Sequence, residues 1–212
     1  MFSRRKIVYS MLVLLLGALL TTSGILWYKY IRHMFFPKNF GTVVEGSIYR
    51  SARLNPVLIE DTLKKYGIRK IIVLCGKDNH STEEEAIAKK LGVEMFFITL
   101  HGSAMCSAEE FATVVEEVAK TVNEHKPMLI HCSAGVNRTG AIIALYEIFV
   151  MKRSTEEAYK EIVQYGWTPE KNGQMIPHLN SLMPEIATLL VKKGVIDKVP
   201  EPMPQFKVDF KY

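Results

Sequence analysis

Residues 131–140 read His131, Cys132, Ser133, Ala134, Gly135, Val136, Asn137, Arg138, Thr139 and Gly140, an order that sets a thiol, a guanidinium and a hydroxyl around a short run of small residues. A free thiol has a pKa of about 8.5, so Cys132 becomes a nucleophile at neutral pH only if nearby donors, a cation or a helix N-terminus stabilise the thiolate. Arg138 offers a planar fork that holds two phosphoryl oxygens at once and tightens its grip as negative charge builds on them. Thr139 places a hydroxyl where it can donate to the sulfur and help the thiolate leave a phosphocysteine. Gly135 and the small Ser133 and Ala134 let the backbone close around an anion. The N–H groups of Ser133, Ala134, Gly135, Val136, Asn137 and Arg138 then become phosphate donors. The chemistry implied is in-line attack of sulfur on a bound phosphoryl group. His131 reads as a core histidine bonded to backbone before it reads as a proton carrier.

Such a loop works only if a strand delivers the cysteine and a helix begins at the arginine. Residues 127–130 (Pro127, Met128, Leu129, Ile130) form a short apolar run that predicts a buried strand, and residues 139–146 predict a buried helix. The loop then lies at a helix N-terminus, where unpaired N–H groups and the macrodipole favour anions. Elsewhere, residues 42–52 predict one or two strands, residues 56–66 a helix stopped by Gly67, residues 70–74 a buried strand and residues 93–100 another. Capping-box spacings at Ser81/Glu84, Ser107/Glu110 and Ser154/Glu157 predict three further helix starts. The apolar spacing of Phe111, Val114, Val115, Val118 and Val122 marks a core-facing helix. Helices over residues 154–164 and 176–193 precede an extended proline-containing tail. Strands alternating with helices predict a three-layer α/β domain, its central mainly parallel sheet flanked by helices and its site at the strands' carboxyl ends.

The loop resembles the signature of the protein tyrosine phosphatase superfamily, His-Cys, five residues, then Arg and Ser or Thr. Ile48-Tyr49-Arg50-Ser51-Ala52, Tyr66-Gly67-Ile68 and Leu91-Gly92-Val93 extend the likeness to small dual-specificity-type members over about residues 41–166. The resemblance implies the cysteine-phosphatase fold, no cofactor, and phosphotyrosine, phosphoserine or phosphothreonine proteins as substrates, with phosphoinositides or inositol (pyro)phosphates as the rival class. It also implies an aspartic acid some thirty to forty residues before the cysteine, and here the chain departs from the pattern. The segment His101-Gly102-Ser103-Ala104-Met105-Cys106-Ser107 holds no carboxylate. Asp78, in a loop after an earlier strand, and His101, near the expected place, are the candidate proton donors. A good leaving group would need neither. Arg50 reads as a structural ion pair before a substrate ligand. Residues 83–85 read as a solvated helix start, with bracing of Arg138 the alternative. Cys75 and Cys106 are candidates for a protective disulfide with Cys132, as second cysteines form in some relatives. A sulfurtransferase loop also opens with cysteine, but His131 and the Arg138-Thr139 ending argue against one. A binding module that captures phosphorylated partners without turnover is the non-enzymatic alternative, and intact Cys132 and Arg138 speak against it.

The chain has 212 residues, and residues 7–28 carry no charge. As a helix they would extend about 33 Å, the thickness of a bilayer core. Arg4, Arg5 and Lys6 precede them and Trp27, Tyr28 and Tyr30 close them like an interfacial belt. The reading is a single-pass membrane anchor over residues 1–36 and a phosphatase domain over residues 37–212, with a cleaved signal as the alternative. A basic N-terminus held inside a bacterial cell would put that domain outside the cytoplasm, although Lys29, Arg32 and Lys38 compete on the other flank. Five of the 27 basic residues precede Pro37, and the remaining 22 face 22 acidic residues. A neutral domain argues against nucleic acid, including a 5′-triphosphorylated RNA, as partner. Three cysteines make no disulfide framework, and no Cys/His spacing calls for a metal.

Overall fold

The computed structural model describes residues 4–207. The chain divides into two compact units, Met1–Pro37 and Lys38–Tyr212. The first consists of α1 (Arg4–Leu26), a π-helical turn over Trp27–Ile31 and α2 (Arg32–Phe35). Residues Val8–Leu26 have a mean hydropathy of 1.9, long and apolar enough to cross a membrane. The hydroxyls of Thr21 and Thr22 donate to the carbonyls of Gly17 and Ala18 in the preceding turn, so the polar groups are satisfied within the helix.

The second unit is built on a five-stranded sheet of β1 (Gly41–Val44), β2 (Ile48–Ala52), β3 (Lys70–Val73), β4 (Glu94–Phe97) and β5 (Met128–Cys132). The strand order is β1-β2-β5-β3-β4, antiparallel between β1 and β2 and parallel throughout the rest. That order puts β5 in the middle, with Ala52 opposite Cys132 and Val73 opposite His131. Both faces of β5 are buried, which is why Met128, Leu129 and Ile130 run apolar without alternation.

Alternate strand residues feed two cores. Ile48, Ile72, Met128 and Ile130 pack with residues of α5 (Ala108–Asn123), α6 (Asn137–Phe149), α7 (Thr155–Gln164) and α9 (Met175–Lys192). Tyr49, Ile71, Val73 and Leu129 pack with α3 (Pro56–Lys65) and α4 (Asn79–Leu91). A sheet with helices packed on both faces is the architecture the strand and helix alternation predicts. The short α8 (Pro169–Asn172) was not visible in the sequence pattern.

The helix starts differ from expectation at one place. Ser107 with Glu110 and Ser154 with Glu157 form the expected capping boxes. The third box is made instead by Asp78 as N-cap and Ser81 at the third helical position, so α4 begins before Ser81. Asp78 accepts from the Ser81 N–H, and Glu84, no longer at the third helical position, turns into the interior.

Candidate active site

The middle strand delivers Cys132 to the carboxyl edge of the sheet with only 2% of its surface exposed. The neighbouring strand ends hold it there. The Arg53 N–H donates to the Cys132 carbonyl and the Leu74 N–H to the His131 carbonyl, each at 2.8 Å. Beyond it the chain turns through residues 133–136 and enters α6. Gly135 makes the turn possible at φ +67°, in the left-handed region. A Cβ there would lie 2.5 Å from the Ala52 nitrogen and 2.6 Å from the Ser51 carbonyl atoms, so the loop is pressed against the end of β2.

Folded this way, the Gly135 N–H points back at the sulfur, 3.2 Å from Sγ. Burial alone would push the Cys132 thiol up. The hydroxyl and N–H of Thr139, the Arg138 charge and the Gly135 N–H together outweigh it, and the net direction is down, toward thiolate. Thr139 is wholly buried, and its hydroxyl has no oxygen or nitrogen partner that competes with the sulfur.

Arg138 is propped across the mouth of the loop. Its Nη1 donates to the Leu74 carbonyl and its Nη2 to the Ser133 hydroxyl, both at 3.2 Å, while Nε has no partner. The two residues before it contribute backbone rather than side chain. Val136 packs on the core, and the Asn137 amide donates to the Gly102 carbonyl at 3.3 Å. Two loop carbonyls are held from outside. Ala134 accepts from the Asn39 amide at 2.8 Å, and Gly135 accepts from Arg50.

Of the two candidate proton donors, Asp78 is engaged elsewhere. Its carboxylate pairs with Arg53 and caps α4, and the Arg53 hydrogen bond holds its carboxyl below the usual range. A carboxylate so stabilised is a poor acid. His101 is exposed, with Nδ1 2.8 Å from the Ser103 hydroxyl. Its loop is fastened to the helices by Asn137, by Asn172, which donates to the Ser103 carbonyl at 2.9 Å, and by His178, whose Nε2 lies 2.7 Å from the Cys106 carbonyl. That loop therefore lies against the first residue of α6.

Glu84 is neither solvated nor braced on Arg138. It is 1% exposed and lies 3.1 Å from the His131 ring beneath the loop. Arg50 is fully buried in an ion pair with Glu161 and stacks 3.8 Å from the centroid of the Tyr165 ring, so the structural reading holds. All three cysteines are free. The Cys75 sulfur accepts from Arg53 at 3.0 Å, and burial pushes the Cys106 thiol up. Asn39, Arg53, Glu161 and Tyr165 surround the loop without having been singled out by the sequence. Glu161 carried the one usable signal, an acid on the apolar side of an amphipathic helix. Among the described residues, no group of three or more His, Cys, Asp or Glu side chains is set to hold a metal ion.

A thiol and a guanidinium facing one glycine-turned loop, at the carboxyl end of the middle strand of a mainly parallel sheet, define the class as a cysteine-bearing loop at a helix N-terminus on a three-layer α/β fold. Residues 34–174 match the model of the tyrosine phosphatase family. The chain belongs to that family. It is 31% identical over 113 residues to the inositol diphosphatase DSP4 of Arabidopsis thaliana, covering 50% of this chain and 54% of the relative. It is also 31% identical over 88 residues to the dual specificity protein phosphatase OPG106 of Vaccinia virus, covering 42% and 48%. The chain spans about half the length of the curated relatives it matches. Among solved structures, TpbA of P. aeruginosa superimposes with a TM-score of 0.61 at 20% identity, over 74% of this chain and 91% of that one. The catalytic core of the S. cerevisiae PP-IP phosphatase SIW14 does so with a TM-score of 0.61 at 21% identity, over 79% and 97%. These structural likenesses establish the fold.

Proposed function

We propose that the chain is a cysteine-dependent phosphatase that hydrolyses phosphate monoesters through a phosphocysteine intermediate. The observation that carries the reading is the Cys132 sulfur, its thiol pKa lowered, with the Gly135 N–H 3.2 Å away and Arg138 fixed across the same loop. Sulfur attacks phosphorus in line, and the S–P bond forms as the bond to the leaving oxygen breaks. The loop N–H groups from Ser133 to Arg138 and the Arg138 fork hold the three equatorial oxygens as their charge grows. Water then attacks phosphorus, its proton passing to the His101 imidazole left neutral by the first step, and the S–P bond breaks as the Thr139 hydroxyl donates to the departing thiolate. Proton delivery to the leaving oxygen falls to His101, because Asp78 is bound to Arg53.

Phosphorylated tyrosine, serine or threonine side chains of proteins are the leading substrates. One observation favours a second reading, inositol diphosphates: the aspartate available to the site is spoken for, and a phosphoanhydride oxygen leaves without strong acid assistance. The name of the Arabidopsis relative supports this class. We further read residues 1–36 as a single membrane span tethering a catalytic domain over residues 37–212, on the strength of the 1.9 mean hydropathy of Val8–Leu26. In a bacterial cell the basic residues before the span favour an extracytoplasmic domain.

The test uses the full chain in detergent and its Cys132→Ser variant, with an aryl phosphate whose leaving group needs no proton and with phenyl phosphate. Turnover of both, lost in the variant, is expected if His101 works as an acid. Turnover of the activated ester alone would favour the anhydride reading. Turnover of neither would refute the phosphatase reading in favour of a phospho-ligand binding module.

A further inference from the structure

The phosphate loop is held from behind by groups that touch neither sulfur nor phosphate. Arg50, fully buried on β2, gives one arm of its guanidinium to the Gly135 carbonyl and the other to Glu161 on α7. Its face lies on the Tyr165 ring, and Gly41 is what admits that ring, since a Cβ there would sit 1.7 Å from the Tyr165 hydroxyl. Asn39 grips the preceding carbonyl, that of Ala134, and also donates to the Tyr165 carbonyl at 3.3 Å. In a planar trans peptide the carbonyl and the following N–H point in opposite directions. Pulling the Ala134 and Gly135 carbonyls outward therefore turns the Gly135 and Val136 N–H groups the other way. The Gly135 N–H, on the peptide whose carbonyl Asn39 holds, faces the sulfur.

Resting on the phosphatase reading, we propose that Arg50 and Glu161 are positioning residues: a buried ion pair that clamps the Gly135 carbonyl outward and so turns the Val136 N–H that follows it toward the anion site, beside the Gly135 N–H that Asn39 turns toward the sulfur. Glu161 acts through Arg50, whose second arm it anchors. An arginine suits the task because its rigid fork serves two acceptors at once, which an ammonium on a flexible stem does poorly. The pair is not electrically isolated. Glu147 on α6 and Arg153, which donates to Glu147 at 2.6 Å, adjoin it, and a surface cavity of about 310 Å³ reaches it past Glu157, Lys160 and Tyr165. Burial pushes the Glu161 carboxyl up, opposed by Arg50, and burial with the Glu161 charge pushes Glu147 up to about 7. The clamp therefore weakens as Glu161 takes up a proton in acid.

The experiment compares the full-length wild type with Glu161→Gln and Arg50→Lys. Gln keeps the shape and an acceptor while removing the charge, and Lys keeps the buried charge while losing one of the two bonds. Carbamidomethylation of Cys132 by iodoacetamide, followed by mass spectrometry from pH 5 to 9 with and without inorganic phosphate, reports thiolate formation and anion binding without turnover. In both variants we expect the Cys132 profile to move toward higher pH and phosphate protection to weaken about tenfold. The loss on an aryl phosphate should fall on kcat more than on KM, because the donors matter most when charge has built up. A folded variant with the wild-type profile, phosphate constant and kcat would overturn the proposal. So would loss of folding in both, since the pair would then hold the domain rather than the loop. Wild-type Cys132 that inorganic phosphate does not protect would instead refute the phosphatase reading itself.

Discussion

Gly135→Ala is the smallest change that should disable the site, and its cost can be worked from two independent terms. The first is conformational. Gly135 sits at φ +67°, and an L-residue with a Cβ loses about 1–2 kcal/mol in that region. The second is steric. The new Cβ would meet the Ser51 carbonyl atoms at 2.6 Å and the Ala52 nitrogen at 2.5 Å, where ordinary contact begins at 3.4 Å. These are backbone atoms of a buried strand, fixed by pairing with β5, so the loop must retreat from them by nearly an ångström. That retreat withdraws the Gly135 N–H from Sγ and shifts the donors that hold phosphate. A displacement of about 1 Å at a reacting centre costs on the order of 100-fold in rate. For a domain of this size, about 1–2 kcal/mol lowers the melting temperature by roughly 2–8 °C. Aryl phosphate turnover and a thermal unfolding scan measure both effects. Activity should fall far more than stability. Alanine at 135 with wild-type kcat would refute it, because the loop would then tolerate the movement on which the positioning argument depends.

Two further outcomes follow from how the neighbouring charges are arranged. Asp78→Asn should leave kcat on phenyl phosphate within about twofold of wild type, whereas removal of a working general acid costs about 100-fold or more. A larger loss measured on that ester would return Asp78 to the role its pairing with Arg53 and its cap on α4 deny it. Glu147→Gln tests the buried acid behind the loop. Its carboxyl, raised by burial first and by Glu161 second, titrates near 7 in the fold against 4.5 when unfolded. A raised carboxyl pKa favours the protonated folded state, so its contribution is complete below about pH 4.5 and is lost as pH rises through 7. The neutral glutamine should therefore gain stability relative to wild type between pH 5 and 8. Parallel denaturant curves at the two pH values check this, and an unchanged difference would mean that Glu147 does not titrate in that window.

The Cys132 loop was legible in the sequence because its geometry is local. A strand, a glycine-turned loop and a helix N-terminus follow one another within about twenty residues, and each has its own pattern of apolar runs and small residues. The capping boxes at Ser107 and Ser154 were legible for the same reason, since their partners lie three residues away. The box at Ser81 misled because two overlapping patterns compete, and only the tertiary pull of Arg53 on Asp78 and of His131 on Glu84 decides between them. Nothing local announces Asn39, and Glu161 shows only as an acid on the apolar side of α7. Asn39 reaches Ala134 across 95 positions of sequence and Glu161 reaches Arg50 across 111. Their significance comes only from the sheet order, which sets β2 beside β5 and packs α7 on α6. The family pattern behaves in the same way. It led to an expected acid on the loop after β4, where this chain supplies a histidine. What the residues around the loop do with that difference is set by contacts between distant segments: Asp78 drawn to Arg53, and the His101 loop fastened by Asn137, Asn172 and His178. Cys132, Arg138 and Thr139 thus lie within eight consecutive residues, while the groups that hold their loop, Asn39, Arg50 and Glu161, are distributed through the fold.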